Sequence, residues 1–243
     1  MGKLKASKSL LSLSWNLIIN KDNLNSDFEN NYNVCKKASE KAIKRSKVDF
    51  VTKGVNNIPL VGPTLVISNH KSFFDIFALV KAIDRPMSFA AAVELMSYPV
   101  LRDYIKSIEC VLIDRNTEDL RKMKEQLQEM ERIILKNGLI LFPEGECSYE
   151  SDEIKPFKKG GFMAAAKNNV TIVPCYINYK AMSKFGKWMV PTDETTIIFG
   201  ESFRPKDELG DKANPQRIAE YTRNKVLELK YSIDSNKNSW FLS

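Results

Sequence analysis

The chain contains a single histidine, His70, so any imidazole chemistry must belong to it. It sits in the run Ser68-Asn69-His70-Lys71-Ser72-Phe73-Phe74-Asp75. A histidine pKa near 6.5 leaves most of the ring neutral at physiological pH yet able to accept a proton, which suits a general base. Asp75 is the natural partner to orient that ring. Five residues of ideal helix change direction by about 140°, so the two side chains cannot share a face if both are helical. His70 is therefore expected on a strand-to-helix turn, with Ser72 as the N-cap and Asp75 as the third helical residue. Ser72-x-x-Asp75 is also the pattern of a capping box, which accounts for both residues without catalysis. The two readings are compatible, because a carboxylate has two oxygens. The four cysteines, Cys35, Cys110, Cys147 and Cys175, show neither metal-ligand nor C-x-x-C spacing, so they are read as reduced thiols of a cytosolic protein with no metal and no cofactor.

The elements that must position His70 are legible in the pattern of apolar residues. Short apolar runs predict strands over Thr64–Ser68, Met87–Val93, Val111–Asp114, Leu139–Phe142, Val170–Ile177 and Thr195–Phe199. Amphipathic runs predict helices after Ser72, over about Glu118–Asn137, about Gly160–Asn168 and about Pro215–Tyr231. Thr117 is expected to cap the second of these and Gly138 to end it in a left-handed conformation. Strands alternating with helices argue for an α/β fold: a single catalytic domain, residues 56–243, built on a mixed central sheet flanked by helices, with functional residues at strand ends.

Residues 1–55 read as an appended helical segment rich in Lys, Asn and Ser. The apolar stretch Leu10–Ile19 is interrupted by Ser12, Ser14 and Asn16 and is half the roughly 20 residues that a spanning helix needs. Drawn as a helix it has Lys5, Lys8, Ser9, Ser12 and Asn16 on one side and Leu10, Leu11, Leu13, Trp15, Leu17 and Ile18 around the rest. That pattern fits an interfacial helix, and equally a helix packed on the protein's own core. The formal net charge of +7 suits an anionic membrane surface or nucleic acid. Zinc-finger spacing and RNP-like aromatic blocks are absent from the sequence, so nucleic acid is not expected as a partner. A peripheral position on the cytoplasmic face of a membrane follows as the expectation.

Asn69-His70-x-Ser72-x-x-Asp75 resembles the first conserved block of the glycerolipid acyltransferase family, which includes the 1-acylglycerol-3-phosphate acyltransferases. Leu112-Ile113-Asp114-Arg115 resembles the second block, Phe142-Pro143-Glu144-Gly145-Glu146-Cys147-Ser148 the third, and Val173-Pro174 the fourth. The blocks occur in the family's order over roughly Pro59 to Phe203. The resemblance implies that a fatty acyl group passes from acyl-carrier protein or acyl-CoA to a lysophospholipid hydroxyl, most simply that of 1-acylglycerol-3-phosphate. In this scheme His70 is the base and Asp75 its orienting partner, and the hydroxyl attacks the thioester directly. It further implies substrate-binding roles for Asn69, Ser72, Arg115, Glu144 and Gly145, with Arg115 on the acceptor phosphate. Read alone, Arg115 is as well explained by a surface ion pair beside Asp114.

This chain departs from the pattern at Glu146-Cys147, where the family often has Thr-Arg, so a second phosphate-binding arginine is missing. Lys158 or Lys159 is the candidate replacement, with Lys159 preferred. Glu109 also stands where a glycine is common. Another lysophospholipid or glycerol-3-phosphate therefore stays open as the acceptor. Two rival readings accompany this one: Cys147 as a nucleophile paired with His70, and a non-catalytic basic protein of the membrane surface.

Overall fold

Leu65-Val66-Ile67 is apolar without alternation, which is what a strand covered on both faces requires. In the computed structural model, which describes residues 18, 20–46, 48–148, 151–185 and 188–239, this segment is β2 (Thr64–Ser68), buried at every position. It lies at the centre of a seven-stranded sheet, paired in parallel with β5 (Leu139–Leu141) on one side and β6 (Thr171–Tyr179) on the other. Beyond β5 come β3 (Ser88–Ala92) and β4 (Val111–Ile113), both parallel. Beyond β6 come β9 (Thr195–Phe199), antiparallel to β6, and β1 (Phe50–Lys53), parallel to β9. The sheet is mixed, as expected. A separate two-stranded ribbon joins β7 (Met182–Phe185) to β8 (Trp188–Pro191).

Alternate residues of the central strands feed two apolar layers. Val66, Ile140 and Val173 face α1 (Phe28–Ser46), α2 (Asp75–Ala82) and α3 (Pro99–Ser107), whose Tyr32, Cys35, Phe77, Leu79 and Tyr104 complete that core. Leu65, Ile67, Leu139, Leu141 and Ile172 face α4 (Leu120–Asn137), α5 (Met163–Asn168) and α7 (Pro215–Ser239) through Met130, Ile133, Ile134, Ala165, Ile218 and Val226. Each such side chain contributes about 1.5–3 kcal/mol by leaving water. A short helix α6 (Pro205–Leu209) precedes α7.

Several sequence expectations need correction. The boundary at residue 55 is not a break in packing: Tyr32, Ala38 and Ile43 of α1 lie in the core, and β1 belongs to the sheet. The amphipathic pattern of α1 was hidden among its lysines, one of which, Lys36, pairs with Asp84 at 2.6 Å. Helix α4 is capped by Asp119, whose carboxylate accepts from the Arg121 and Lys122 N–H groups at 2.9 and 3.4 Å. Thr117 instead receives the Asp119 N–H at 3.3 Å. Gly138 ends that helix with φ 75° and ψ 162°, outside the left-handed helical region but equally suited to glycine. Glu109 adopts φ 49°, which explains why a glycine is common there. Its carboxylate is held by Lys136 at 2.7 Å and by Asn137 at 3.2 Å.

Most of the expected N-terminal helix, residues 1–17 and 19, lies outside the described residues. Among the described residues no helix is long and apolar enough to cross a membrane.

Candidate active site

Because β2, β4, β5 and β6 run parallel, the segments leaving their C-terminal ends meet along one edge of the sheet. His70 follows β2 by two residues, Arg115 follows β4 by two, Glu144 follows β5 by three, and Tyr179 is the last residue of β6. Asn69 fixes where the chain leaves β2. Its amide donates to the Ile177 carbonyl at 3.0 Å and accepts the Ile177 N–H at 2.8 Å. It is buried, so its contribution is to hold the turn that carries His70.

Asp75 is fully buried and begins α2. Its Oδ2 accepts from His70 Nδ1 at 2.7 Å, from the Lys71 N–H at 2.7 Å and from the Ser72 N–H at 3.0 Å. Ser72 Oγ in turn accepts the Phe74 N–H at 3.0 Å. The Ser72–Asp75 half of the expected capping box is therefore formed, but the helix starts two residues later than expected, with Phe74 at the cap position, where its side chain makes no cap bond, and Asp75 opening the helix. Capping and ring orientation use the same carboxylate oxygen. The other, Oδ1, accepts the Tyr179 hydroxyl at 2.5 Å.

With Nδ1–H directed at Asp75, the basic nitrogen of neutral His70 is Nε2. Phe142 stacks on the imidazole at 4.2 Å between ring centroids, with planes 14° apart. Burial works against a charged ring. The Asp75 hydrogen bond, the Cys147 thiol beside the ring and the Asp75 charge outweigh it and raise the histidine pKa above its ordinary value. The structure thus brings Cys147 and His70 together, which their spacing in the sequence does not reveal. The Ser148 N–H donates to the His70 carbonyl at 2.8 Å and explains how.

Glu144 is almost fully buried and acts on backbone. Its two oxygens accept the His70 and Lys155 N–H groups at 2.8 and 2.9 Å. Burial pushes its pKa above the usual carboxylate range, against the pull of those donors. The loop after β5 is gripped at further points. Lys71, buried, pairs with Asp152 and donates to the Ser151 carbonyl. Arg223 of α7 donates to the carbonyls of Ile154 and Lys155, and Lys230 to that of Asp152.

The edge opens into a cavity of about 780 Å³ lined by His70, Cys147 and Phe142 at its centre. Its apolar lining includes Phe73, Ile76, Ala91, Leu95, Leu127 and Met130. A smaller apolar pocket of about 60 Å³ shares Phe73, Ile76, Ala91 and Leu95 and continues towards Phe89 and Tyr104. Its polar lining includes Arg115, Lys158, Glu146 and Asp114. Arg115 donates to the Gly145 carbonyl. Gly145 has φ 77°, and a β-carbon on it would lie 2.7 Å from Lys158 Nζ. Lys158 therefore lines the cavity, whereas Lys159, equally exposed at the start of a short helical turn, is not among the lining residues, reversing the preference stated above. Lys155 pairs with Glu146 at 2.6 Å, and this bond, helped by the charges of Lys158 and Arg115, lowers the Glu146 pKa.

A His–Asp pair whose aspartate is buried, at the C-terminal edge of a mixed sheet and facing a largely apolar cavity that also carries Arg115 and Lys158 beside Asp114 and Glu146, is an arrangement suited to acyl chemistry on an amphipathic substrate. A model of the Acyltransferase family matches residues 49–178, and the chain belongs to that family. It is 36% identical over 141 residues to a probable 1-acyl-sn-glycerol-3-phosphate acyltransferase of Mycoplasma pneumoniae, covering 56% of this chain and 50% of that protein. It is 31% identical over 133 residues to lysophosphatidylcholine acyltransferase 2 of Danio rerio, covering 53% of this chain and 23% of that protein. The crystal structure of the 1-acyl-sn-glycerophosphate acyltransferase PlsC from Thermotoga maritima shares the fold, with a TM-score of 0.70 over 95% of this chain and 98% of that one at 22% identity. The chain spans about half the length of the Mycoplasma relatives it matches.

Proposed function

We propose that this protein transfers a fatty acyl group from acyl-CoA or acyl-carrier protein to the free hydroxyl of a lysophospholipid, with 1-acylglycerol-3-phosphate as acceptor and phosphatidate as product. The observation that carries the reading is the His70–Asp75 pair opening on a cavity whose apolar lining suits acyl chains and whose Arg115 and Lys158 suit a phosphate. His70 Nε2 takes the acceptor's proton as its oxygen attacks the thioester carbonyl. The carbon–sulfur bond then breaks, and the departing thiolate takes that proton from the imidazolium. Asp75 stabilises the imidazolium while it exists. Asn69, Ser72 and Glu144 shape the turn that presents His70, while Arg115, Lys158 and the open backbone at Gly145 receive the phosphate.

Residues 1–20 supply the reason for placing the enzyme peripherally on the cytoplasmic face of a membrane. Lys3, Lys5 and Lys8 flank apolar residues that include Trp15, and each lysine near an anionic surface contributes about 1 kcal/mol. One observation favours a second reading of the chemistry: Cys147 lies beside His70 and lines the same cavity, so it is placed to take the acyl group first.

The test is to measure thiol release from each long-chain acyl donor with and without 1-acylglycerol-3-phosphate. Acceptor-dependent release, lost by about 10²- to 10⁴-fold in His70→Ala, supports the reading. Equal release without acceptor would make the protein a thioester hydrolase instead.

A further inference from the structure

We propose that Tyr179 is a positioning residue of the transfer centre, acting through the carboxylate oxygen of Asp75 that His70 does not use. This rests on the function proposed above for its kinetic consequence, though not for its physical one. Asp75 is completely buried, and among the described residues Tyr179 is the donor to Oδ1, at 2.5 Å. A buried carboxylate oxygen without a donor is costly, so the hydroxyl has a structural reason to be there. It also has an electronic one. The phenol holds its proton: burial, then the charge and hydrogen bond of Asp75, push its pKa far above the ordinary tyrosine value. It is therefore a permanent donor that draws negative charge away from the carboxylate and loosens its hold on the imidazole proton.

Strand β6 makes this precise in space. Ile177 clamps Asn69 through its backbone, and Tyr179, two residues on, points to the same face of the strand. One strand thus fixes the turn carrying His70 and the far side of its partner. The other titratable groups facing the pair are Cys147 and Glu144 from the loop after β5 and Cys175 from β6. None of them donates to Asp75 Oδ1 in the described residues.

Tyr179→Phe keeps the ring and removes only the hydroxyl. Because His70 is the only histidine, the ring-carbon NMR signal of selectively labelled histidine reads its titration directly. In Tyr179→Phe the midpoint should rise by about half a unit to one unit, as the carboxylate grips the imidazolium harder. The acidic limb of kcat should move the same way, with the rate at pH 7 down about three- to tenfold and both KM values little changed. Replacing Tyr179 with a ring-fluorinated tyrosine, a stronger donor of nearly the same shape, should move the midpoint down. A midpoint unmoved in both variants, whatever happens to melting temperature, overturns the proposal. If the wild-type protein acylates no lysophospholipid, the kinetic arm fails while the NMR titration still decides whether Tyr179 controls the pair.

Discussion

Asp75→Asn separates charge from geometry at the centre of the site. An asparagine can keep its carbonyl oxygen towards His70, Lys71 and Ser72 and turn its amide towards Tyr179, whose hydroxyl can rotate to accept. The turn therefore survives, and the negative charge is what disappears. Hydrogen bonds to a charged acceptor are worth about 1.5–3 kcal/mol each. The imidazolium formed during transfer loses its charged partner, and a loss of about 3–5 kcal/mol corresponds to roughly 10²- to 10⁴-fold in kcat. The pH dependence of stability should invert as well. In the native protein the histidine pKa is raised above 6.5, to about 10. Its contribution is therefore fully present below pH 6.5 and is lost as pH rises towards about 10. In the variant, burial is opposed only by Cys147 and depresses the histidine pKa, so the folded state resists protonation and loses stability as pH falls through 6.5. The difference in melting temperature between the two proteins should be largest in acid and shrink towards alkaline pH. A difference independent of pH, or a rate within a few-fold of wild type, would refute the account of this pair.

Arg115→Ala and Lys158→Ala should each raise the acceptor KM by about tenfold and leave the donor KM nearly unchanged, whereas Lys159→Ala should change neither; steady-state kinetics with each substrate varied checks this. Glu146→Gln, which removes a carboxylate from beside Arg115, Lys155 and Lys158, should lower the acceptor KM severalfold and increase its sensitivity to salt. Cys147→Ser should retain most of the activity if attack is direct, while loss of about 10³-fold together with an acyl adduct on wild-type Cys147 by mass spectrometry would establish the covalent route.

The His70–Asp75 pair was readable because its residues lie five apart and the only histidine in the sequence is one of them. The strands were readable because sheet residues covered on both faces leave uninterrupted apolar runs, as at Leu65-Val66-Ile67 and Ile197-Ile198-Phe199. Tyr179 was not readable. It meets Asp75 across 104 positions, and a tyrosine closing an apolar strand looks like any other core aromatic. Lys71, Arg223 and Lys230 were equally silent, since lysine and arginine normally mark solvated surface and here bind carbonyls of a distant loop. The place of Cys147 beside His70 depends on a backbone hydrogen bond between the His70 carbonyl and Ser148, which no side-chain pattern announces. The choice of Lys158 over Lys159 turned on the missing β-carbon of Gly145, whose place the Lys158 ammonium approaches.

The grip of α7 on the loop after β5 bears on what constitutes a unit of this protein. The stretch that the family model matches ends at residue 178, one short of Tyr179 and before β9 and α7. Cut there, β1 would lose its partner strand, Asp75 its tyrosine, and the carbonyls of Asp152, Ile154 and Lys155 their cationic clamps. The recognisable portion of the chain is therefore smaller than the portion that can work. The remainder behaves as a splint: it brings no reacting atom of its own to the substrate, yet it holds the loop whose Glu144 and Ser148 brace the turn carrying His70, so that lesions in the last helix should read out as misplaced chemistry far upstream.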